Sequence, residues 1–275
     1  MPAAGQGAGR EGKAGRMDRE QKKREEGDRA IPVFAEDPAL AGEAKDLAGR
    51  LGLPPAGDRE EAGQAGLWLA LTSDGLCLTD GDLVLKGDYG RLLKRLRPSE
   101  LGRELLVRAA RIREAEGPLR AVDCTAGLGE DSLLLAAAGF EVTLFEYNPV
   151  IFALLEDTIG RARRDPALSL IASRMRPIRG DAAEGLAGLG FRPDVIYLDP
   201  MFPEKRGNSA TRKKLQLFRR LEEPCSKEED LLEAALRAGP SRIVIKRPLK
   251  GPFLAGKKPG FSIRGKTVRY DCLVL

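Results

Sequence analysis

The sequence predicts an α/β fold in which a doubly wound, mostly parallel sheet ends in an antiparallel hairpin, with a small α+β domain before it. From Leu119 onward, apolar runs of strand length alternate with segments of helix length, and this alternation favours a parallel sheet covered on both faces. Near the C-terminus two apolar runs meet at Gly265 with no helix between them, which predicts an antiparallel pair. A length of 275 residues suggests one or two domains.

The N-terminal part divides into a tail and a small domain. Residues 1–30 are mainly Gly, Ala and charged residues, so they bury too little apolar surface to order themselves, and we expect a disordered tail. Residues 31–96 form the predicted α+β domain, in which an Asp-Gly pair marks a hairpin turn. Its predicted elements are a strand at 31–34, a helix at 39–51 ended by Gly52, a hairpin of strands 67–71 and 76–78, and a third strand at 83–85.

Residues 97–275 form the predicted main domain. Pro98 and Ser99 open a helix whose apolar face continues to Ile112. The predicted strands lie at 119–125, 141–147, 175–181, 194–199 and 242–246. Helices are predicted at 129–138, 149–163 and 228–238, and the final hairpin at 261–263 and 267–275.

The composition excludes several kinds of chemistry. The chain has no His, so it has no Ser-His-Asp or Cys-His catalytic group and no His metal ligand. Its four cysteines are too far apart in sequence for a Cys-x-x-Cys pair or a zinc knuckle, and we expect no metal. Scattered cysteines are typical of a reducing compartment, the longest apolar runs are too short to span a bilayer, and no secretory signal is visible. We therefore expect a cytoplasmic protein without a membrane partner.

Basic residues concentrate in the last quarter of the chain. The net charge is +5, but residues 201–275 carry 18 Lys and Arg against 8 Asp and Glu, so the first 200 residues sum to −5. This excess favours a polyanionic partner, although a solvated helix face is the ordinary alternative. The run from Lys205 to Leu221 contains no acid. Its candidate RNA-binding residues are Lys205, Arg206, Arg212, Lys213 and Lys214.

A glycine turn between a strand and a helix is the first candidate binding motif. Asp123 and Thr125 precede Gly127 and Gly129, whose backbone can approach a ligand closely. A dinucleotide-binding fingerprint would have a third Gly where this chain has Ser132. Glu130 and Asp131 at the start of the helix would repel a pyrophosphate, but they suit a ligand that carries a sulfonium and an amino acid.

Two further acids lie at the ends of the next predicted strands. Glu146 comes 23 residues after Asp123, and a carboxylate at that strand end can accept both hydroxyls of a ribose. Asp181 ends the third predicted strand, where it can accept an adenine amino group. Either acid alone could be a helix cap or a solvated carboxylate. Three acids at successive strand ends beside a glycine turn favour a cofactor that contains a nucleoside.

The segment Asp199-Pro200-Met201-Phe202-Pro203 is the candidate reacting loop. It resembles the Asp/Asn-Pro-Pro-aromatic loop of amino-methyltransferases. An exocyclic base amine is a poor nucleophile, and the Asp199 carboxylate and the Pro200 carbonyl can both accept its N–H groups, while Phe202 can stack on the base. The alternative is a simple Asp-Pro turn with Phe202 in the core. The later pair Lys246 and Arg247 could contact phosphates at the same edge of the sheet.

Taken together, these motifs resemble the ribosomal small subunit methyltransferase J family of 16S rRNA guanine-N2 methyltransferases. The segments that carry the resemblance are 123–131, 146–149, 197–203 and 244–248. The resemblance covers about residues 119–275 and implies a Rossmann-like class I methyltransferase fold for the domain assigned to residues 97–275. It implies S-adenosylmethionine as cofactor and small-subunit rRNA as partner. It also implies cofactor contacts at Glu130, Asp131, Glu146, Tyr147, Asp181, Ala182 and Asp199. The chain departs from the family pattern at Asp181-Ala182, where the family has paired Ser, and in the stretch 86–95.

The resulting hypothesis is a methyltransferase that acts on a guanine amine in rRNA. Asp199, Pro200 and Phe202 position and polarise the amine, and the cofactor is bound by Asp123, Thr125 and the acids and glycines named above. An adenine-N6 or protein-amide methyltransferase is the alternative within the same class. A non-catalytic RNA-binding factor on the same fold is the alternative from a different class, and a dinucleotide oxidoreductase is disfavoured by Ser132.

Overall fold

The computed structural model describes residues 30–112, 117–200, 217, 220–221 and 228–275. The chain divides into two compact units. One comprises the residues up to Ser73 together with Leu78–Val84, and the other comprises Asp74–Cys77 together with Leu85–Leu275. The sequence suggests a single domain boundary between residues 96 and 97, which differs from this division, and the domain limits 31–96 and 97–275 stay a prediction.

The N-terminal part of the chain contains a small sheet of the order β1-β2-β3-β4, in which β1 runs parallel to β2. By the division above, residues 75–77 of β3 and Leu85 of β4 belong to the second unit. The α1 helix ends at Gly52, whose φ of 70° gives the left-handed C-cap that glycine adopts without strain. Asp58 caps α2 by accepting a hydrogen bond from the Glu61 N–H. The elements are β1 (Val33–Ala35), α1 (Ala41–Leu51), α2 (Arg59–Gln64), β2 (Trp68–Thr72), β3 (Gly75–Thr79) and β4 (Val84–Leu85).

The larger unit contains a seven-stranded sheet, counted over the described residues, with the order β10-β11-β9-β8-β5-β6-β7. Strands β7, β6, β5, β8 and β9 run parallel, β11 runs antiparallel to β9, and β10 runs antiparallel to β11. The predicted α/β class and the antiparallel ending are therefore confirmed. The strands are β5 (Arg120–Asp123), β6 (Glu141–Glu146), β7 (Met175–Arg179), β8 (Val195–Leu198), β9 (Arg242–Pro248), β10 (Phe261–Arg264) and β11 (Val268–Val274).

Helices cover both faces of this sheet. Successive residues of the central strand β8 belong to two different apolar clusters: Val195 and Tyr197 pack on one side, and Ile196 and Leu198 on the other. Because side chains alternate across a strand, this division requires an apolar layer on each face, as in a doubly wound sheet. The helices are α3 (Pro98–Leu101), α4 (Leu105–Ala110), α5 (Glu130–Ala137), α6 (Pro149–Arg164), α7 (Ser169–Ala172), α8 (Ala182–Gly185) and α9 (Glu228–Arg237).

The segment that starts at Pro98 differs from the sequence expectation. It forms two short helices, α3 and α4, instead of one, and the chain is extended at Glu104. Gly102 is a weak helix former, and the break lets the Glu104 carboxylate accept two hydrogen bonds from Arg95, at 2.7 and 2.8 Å. Of the helices in the described residues, none has both the length and the apolar character needed to cross a membrane.

Candidate cofactor and acceptor site

The glycine turn lies between β5 and α5 and is fastened to the end of β6. Gly127 and Gly129 have φ values of 54° and 75°, in the left-handed region that favours glycine. The Gly127 N–H donates to Glu146 Oε2 at 3.0 Å, and the Asn148 N–H donates to Glu146 Oε1 at 2.8 Å. The buried Glu146 carboxylate thus joins two strand ends that the sequence placed at one sheet edge.

Tyr89 packs against this turn, a contact that the sequence analysis did not anticipate. It lies in a short 3₁₀ helix, Tyr89–Leu92, and its hydroxyl donates to the Leu128 carbonyl at 3.0 Å. A Cβ atom placed on Gly129 would meet the Tyr89 Oη and would lie 2.7 Å from Leu155 Cδ1. Position 129 therefore requires glycine for two reasons: the backbone is in the left-handed region, and there is no space for a Cβ atom.

Asp123 is the buried anchor of the turn. It is 1% exposed, and its carboxylate accepts hydrogen bonds from the Ser132 hydroxyl at 2.6 Å and from the Thr125 N–H at 3.0 Å. Ser132, which the sequence analysis noted as a departure from a dinucleotide fingerprint, thus has a role of its own as a donor to Asp123. These bonds satisfy an acid that would otherwise be costly to bury.

Thr125 connects the glycine turn to the candidate reacting loop. Its hydroxyl oxygen accepts a hydrogen bond of 2.7 Å from the Asp199 N–H. One residue earlier, the Cys124 N–H donates to the Tyr197 carbonyl at 3.0 Å, which continues the β5–β8 ladder. The predicted cofactor turn and the predicted acceptor residue are therefore side by side, because β5 and β8 are neighbours in the sheet.

Lys246 lies between two of the predicted site acids. Its Nζ donates to Asp131 Oδ2 and to Asp199 Oδ2, both at 2.8 Å. The Tyr197 hydroxyl also donates to Asp131 Oδ2, at 2.6 Å. The neighbouring ammonium lowers the pKa of the Asp131 carboxyl against the opposing effect of burial. Asp131 is thus ionised, and its Oδ2 already accepts hydrogen bonds from Lys246 and Tyr197.

The remaining predicted cofactor residues lie near the ends of β6 and β7. Tyr147 is 55% exposed, so its ring is available to a ligand, and Ala182 is buried. Asp181 lies two residues after Arg179, the last residue of β7. It caps α8 by accepting a hydrogen bond of 2.8 Å from the Ala183 N–H. It combines the helix-cap role with an exposed position at the site edge. Glu130 forms an exposed ion pair with Arg91 at 3.6 Å.

Arg247 occupies a buried position. Its side chain is 1% exposed, and it donates to Glu228 Oε1 at 3.2 Å and to the Pro252 carbonyl at 2.9 Å. The same loop is braced by Arg269, which donates to the carbonyls of Pro248, Leu249 and Gly251 at 2.8 to 3.0 Å. A phosphate contact by the Arg247 guanidinium stays a prediction and would require this side chain to leave its present partners.

The reacting loop is described only as far as Pro200, and the predicted residues after it lie outside the described part of the chain. Pro200 is the last described residue of the reacting loop and is buried. Phe202 and the predicted RNA-binding residues Lys205, Arg206, Arg212, Lys213 and Lys214 fall in the range 201–216. Beyond it, Leu221 is fixed to the site edge, because its carbonyl accepts a hydrogen bond of 2.9 Å from the Asn148 side chain.

Two buried acids give the site a pH dependence. Burial raises the pKa of Asp123 from 3.8 to about 7, and burial likewise raises the pKa of Glu146 from 4.5 to about 7. Well below pH 3.8, the ordinary pKa of Asp123, both carboxyls are protonated whether the chain is folded or unfolded. As the pH rises towards 7, the unfolded chain ionises freely while the folded protein resists ionisation, so this contribution to stability is lost.

We expect the replacement Asp123→Asn to reveal this loss. The amide keeps the shape of the carboxyl and does not titrate, so the free energy of unfolding of the wild type relative to the variant should fall as the pH rises from about 4 to about 7. Urea denaturation across that range measures it. A difference that stays constant with pH would show that Asp123 does not titrate in this way.

The side chains at the site suit one kind of ligand. The acceptors at the ends of β5 and β6 are carboxylates, and the nearby cation Lys246 is held by two acids. Such a set suits a ligand with hydroxyl and amine donors and a positive centre, and it disfavours a phosphate. A family model described as "Putative SAM-dependent methyltransferase" matches residues 60–275.

Curated relatives match most of the chain. Ribosomal RNA small subunit methyltransferase J of Pseudomonas paraeruginosa is 41% identical over 235 residues, which cover 83% of this chain and 88% of the relative. The protein of the same name from Thioalkalivibrio sulfidiphilus is 41% identical over 255 residues, covering 89% and 97%. This chain belongs to the ribosomal RNA small subunit methyltransferase J family. It is an S-adenosylmethionine-dependent methyltransferase.

A solved structure agrees with this assignment. A SAM-dependent methyltransferase of Neisseria gonorrhoeae is similar with a TM-score of 0.69 and 30% sequence identity, covering 89% of this chain and 96% of that one. In this member of the methyltransferase J family, the contacts of Glu146 with the ribose of S-adenosylmethionine and of the turn at Gly127–Gly129 with the cofactor stay predictions. The cofactor, when bound, supplies an electrophilic methyl group on a sulfonium.

Proposed function

We propose that this enzyme methylates the exocyclic N2 amine of a guanine in the 16S rRNA of the small ribosomal subunit. The observation that carries the proposal is the position of Asp199. Its N–H is fixed by Thr125 beside the glycine turn, and its side chain is 35% exposed at the end of β8. The curated relatives, whose name includes small-subunit ribosomal RNA, support the substrate, and the resemblance of the motifs to guanine-N2 methyltransferases supports the atom.

The chemistry requires alignment more than activation. The lone pair of a guanine N2 amine is delocalised into the ring, so the amine needs acceptors for its two N–H groups before it can attack a methyl carbon. Asp199 Oδ1 and the Pro200 carbonyl provide them. A carbon–nitrogen bond forms as the carbon–sulfur bond breaks, and the surplus proton of the amine passes to Asp199 or to water. Burial raises the pKa of Asp199, which suits it to receive a proton.

The substrate is held through its base and its backbone. Phe202 stacks on the guanine, which is presented from a single-stranded or flipped-out position. The basic residues that follow the reacting loop in sequence contact phosphates of the RNA; they are Lys205, Arg206, Arg212, Lys213 and Lys214. An enzyme with this substrate works in the cytoplasm, where it meets the small subunit or its RNA.

Product analysis tests this function. Small subunits and free 16S rRNA from cells that lack the gene are incubated with the enzyme and labelled S-adenosylmethionine, digested to nucleosides and separated by mass spectrometry. We expect N2-methylguanosine as the labelled product, and a single position missing from the rRNA modification map of the deletion strain. Labelled N6-methyladenosine or a labelled ribosomal protein would instead favour the alternative amino-methyltransferase.

A further inference from the structure

Lys246 is set by the sheet register to face Asp199. Leu198 of β8 pairs with Ile245 of β9, so the next residues along these parallel strands, Asp199 and Lys246, stand side by side. Side chains alternate along each strand, so Lys246 follows Val244 on the face where α5 packs. Asp131 in the first turn of α5 reaches the same ammonium. Three different elements therefore meet at one nitrogen atom.

We propose that Lys246 is a positioning residue for methyl transfer, which fixes the Asp199 carboxylate by one oxygen and leaves the other for the acceptor amine. This inference rests on the proposed function. The Lys246 Nζ donates a hydrogen bond of 2.8 Å to Asp199 Oδ2. Among the described residues, none donates a hydrogen bond to Asp199 Oδ1. The bridge to Asp131 Oδ2, also at 2.8 Å, restrains the long Lys246 side chain at a second point.

The bridge also distinguishes this role from an RNA contact. A phosphate-binding lysine is exposed and free to approach a partner, whereas the Lys246 side chain is 26% exposed and holds two carboxylates. A phosphate that bound this ammonium would remove the cation that bridges Asp131 and Asp199. Lys246 is thus better suited to the interior of the site than to the backbone of the substrate.

Other charged and titratable groups surround Asp199, and the test must allow for them. They come from β5, α5, β8, β9 and β11, and they are Asp123, Asp131, Tyr197, Lys246, Arg247 and Tyr270. Burial raises the pKa of Asp199, and Lys246 is the nearest group that opposes this rise. Removal of the Lys246 charge is therefore expected to raise the pKa of Asp199 further, and removal of a remote charge is not.

The kinetic test compares Lys246→Met with Lys246→Arg, using small subunits as substrate and saturating cofactor. We expect the methionine variant to lose roughly tenfold to a hundredfold in kcat with little change in KM, and the arginine variant to keep most of its kcat, because it retains a cation between the two acids. The acid limb of the rate profile should move to higher pH in the methionine variant. Lys266→Met, at an exposed turn between β10 and β11, is the matched control and should behave as the wild type.

A phosphate contact would give the opposite pattern. If Lys246→Met raises KM for the subunit, leaves kcat unchanged and reduces the slope of log affinity against log salt by about 1, the positioning role is wrong. Thermal unfolding checks that each variant is folded. If the methionine variant does not fold, Lys246→Gln carries the same test, because it keeps hydrogen-bond donors without the charge.

A measurement without substrate separates this inference from the proposed function. The side-chain carboxyl signal of Asp199 is followed by NMR against pH in protein labelled with carbon-13 aspartate, and it is assigned by its absence in Asp199→Asn. We expect its titration midpoint to rise in Lys246→Met and to stay in place in Lys266→Met. An unchanged midpoint in Lys246→Met overturns the role of Lys246, even if the enzyme methylates rRNA. Failure of the wild type to methylate rRNA would overturn only the function.

Discussion

Replacement of Asp199 by Ala is expected to abolish methyl transfer and leave the fold intact. The variant loses the acceptor that aligns the guanine amine, and losses of roughly 10²–10³-fold or more in kcat are usual when a preorganised polar group is removed from a reacting centre. The fold should survive because the Asp199 side chain is partly exposed and Lys246 keeps its bond to Asp131. Single-turnover methylation of small subunits at saturating cofactor measures the loss.

Two further variants make the Asp199 result specific. Asp199→Asn keeps one oxygen that can accept an N–H, so we expect it to be more active than Asp199→Ala and less active than the wild type. Asp230→Ala, an exposed carboxylate in the first turn of α9, is the matched control and should keep full activity. Undiminished turnover by Asp199→Ala would show that another group aligns the amine.

The parts of the site that the sequence predicted are those that depend on neighbours along the chain. The glycine turn follows β5, Glu146 is the last residue of β6 and Asp199 follows β8 directly, and the carboxyl ends of parallel strands share one edge of the sheet. Once the strands were recognised, their terminal residues could be expected to meet. The structure shows this for Gly127 with Glu146 and for Thr125 with Asp199.

The contacts that the sequence did not predict are those that depend on register or on a distant segment. Lys246 meets Asp199 because Ile245 pairs with Leu198, and a shift of one residue would send Lys246 to the opposite face. Tyr89 reaches the glycine turn from 39 residues away, and no periodic pattern marks it. Ser132 lies in the first turn of α5, and its hydroxyl donates to Asp123 at the end of β5. The sequence alone does not indicate this pair, because the two residues belong to different elements.

The glycine turn offers the second large effect, at Gly129. We expect Gly129→Ala to lower the free energy of unfolding by roughly 2–5 kcal/mol, because left-handed backbone costs a non-glycine residue about 1–2 kcal/mol and overpacking a filled site typically adds about 1–3 kcal/mol. The new methyl group would meet the Tyr89 hydroxyl and lie 2.7 Å from Leu155 Cδ1. Displacement of Tyr89 would also release the Leu128 carbonyl, so cofactor affinity should fall with stability.

Gly239→Ala separates the two causes. Gly239 has a φ of 64°, close to the 75° of Gly129, but a Cβ atom there would have no neighbour within 4 Å. This control should therefore carry the backbone strain alone, about 1–2 kcal/mol, and leave cofactor binding unchanged. Urea denaturation gives the stabilities, and calorimetry with S-adenosylmethionine gives the affinities. Equal losses of stability in the two variants would mean that Tyr89 and Leu155 yield freely, and the turn would then owe its shape to the conformational freedom of Gly129 and not to its packing.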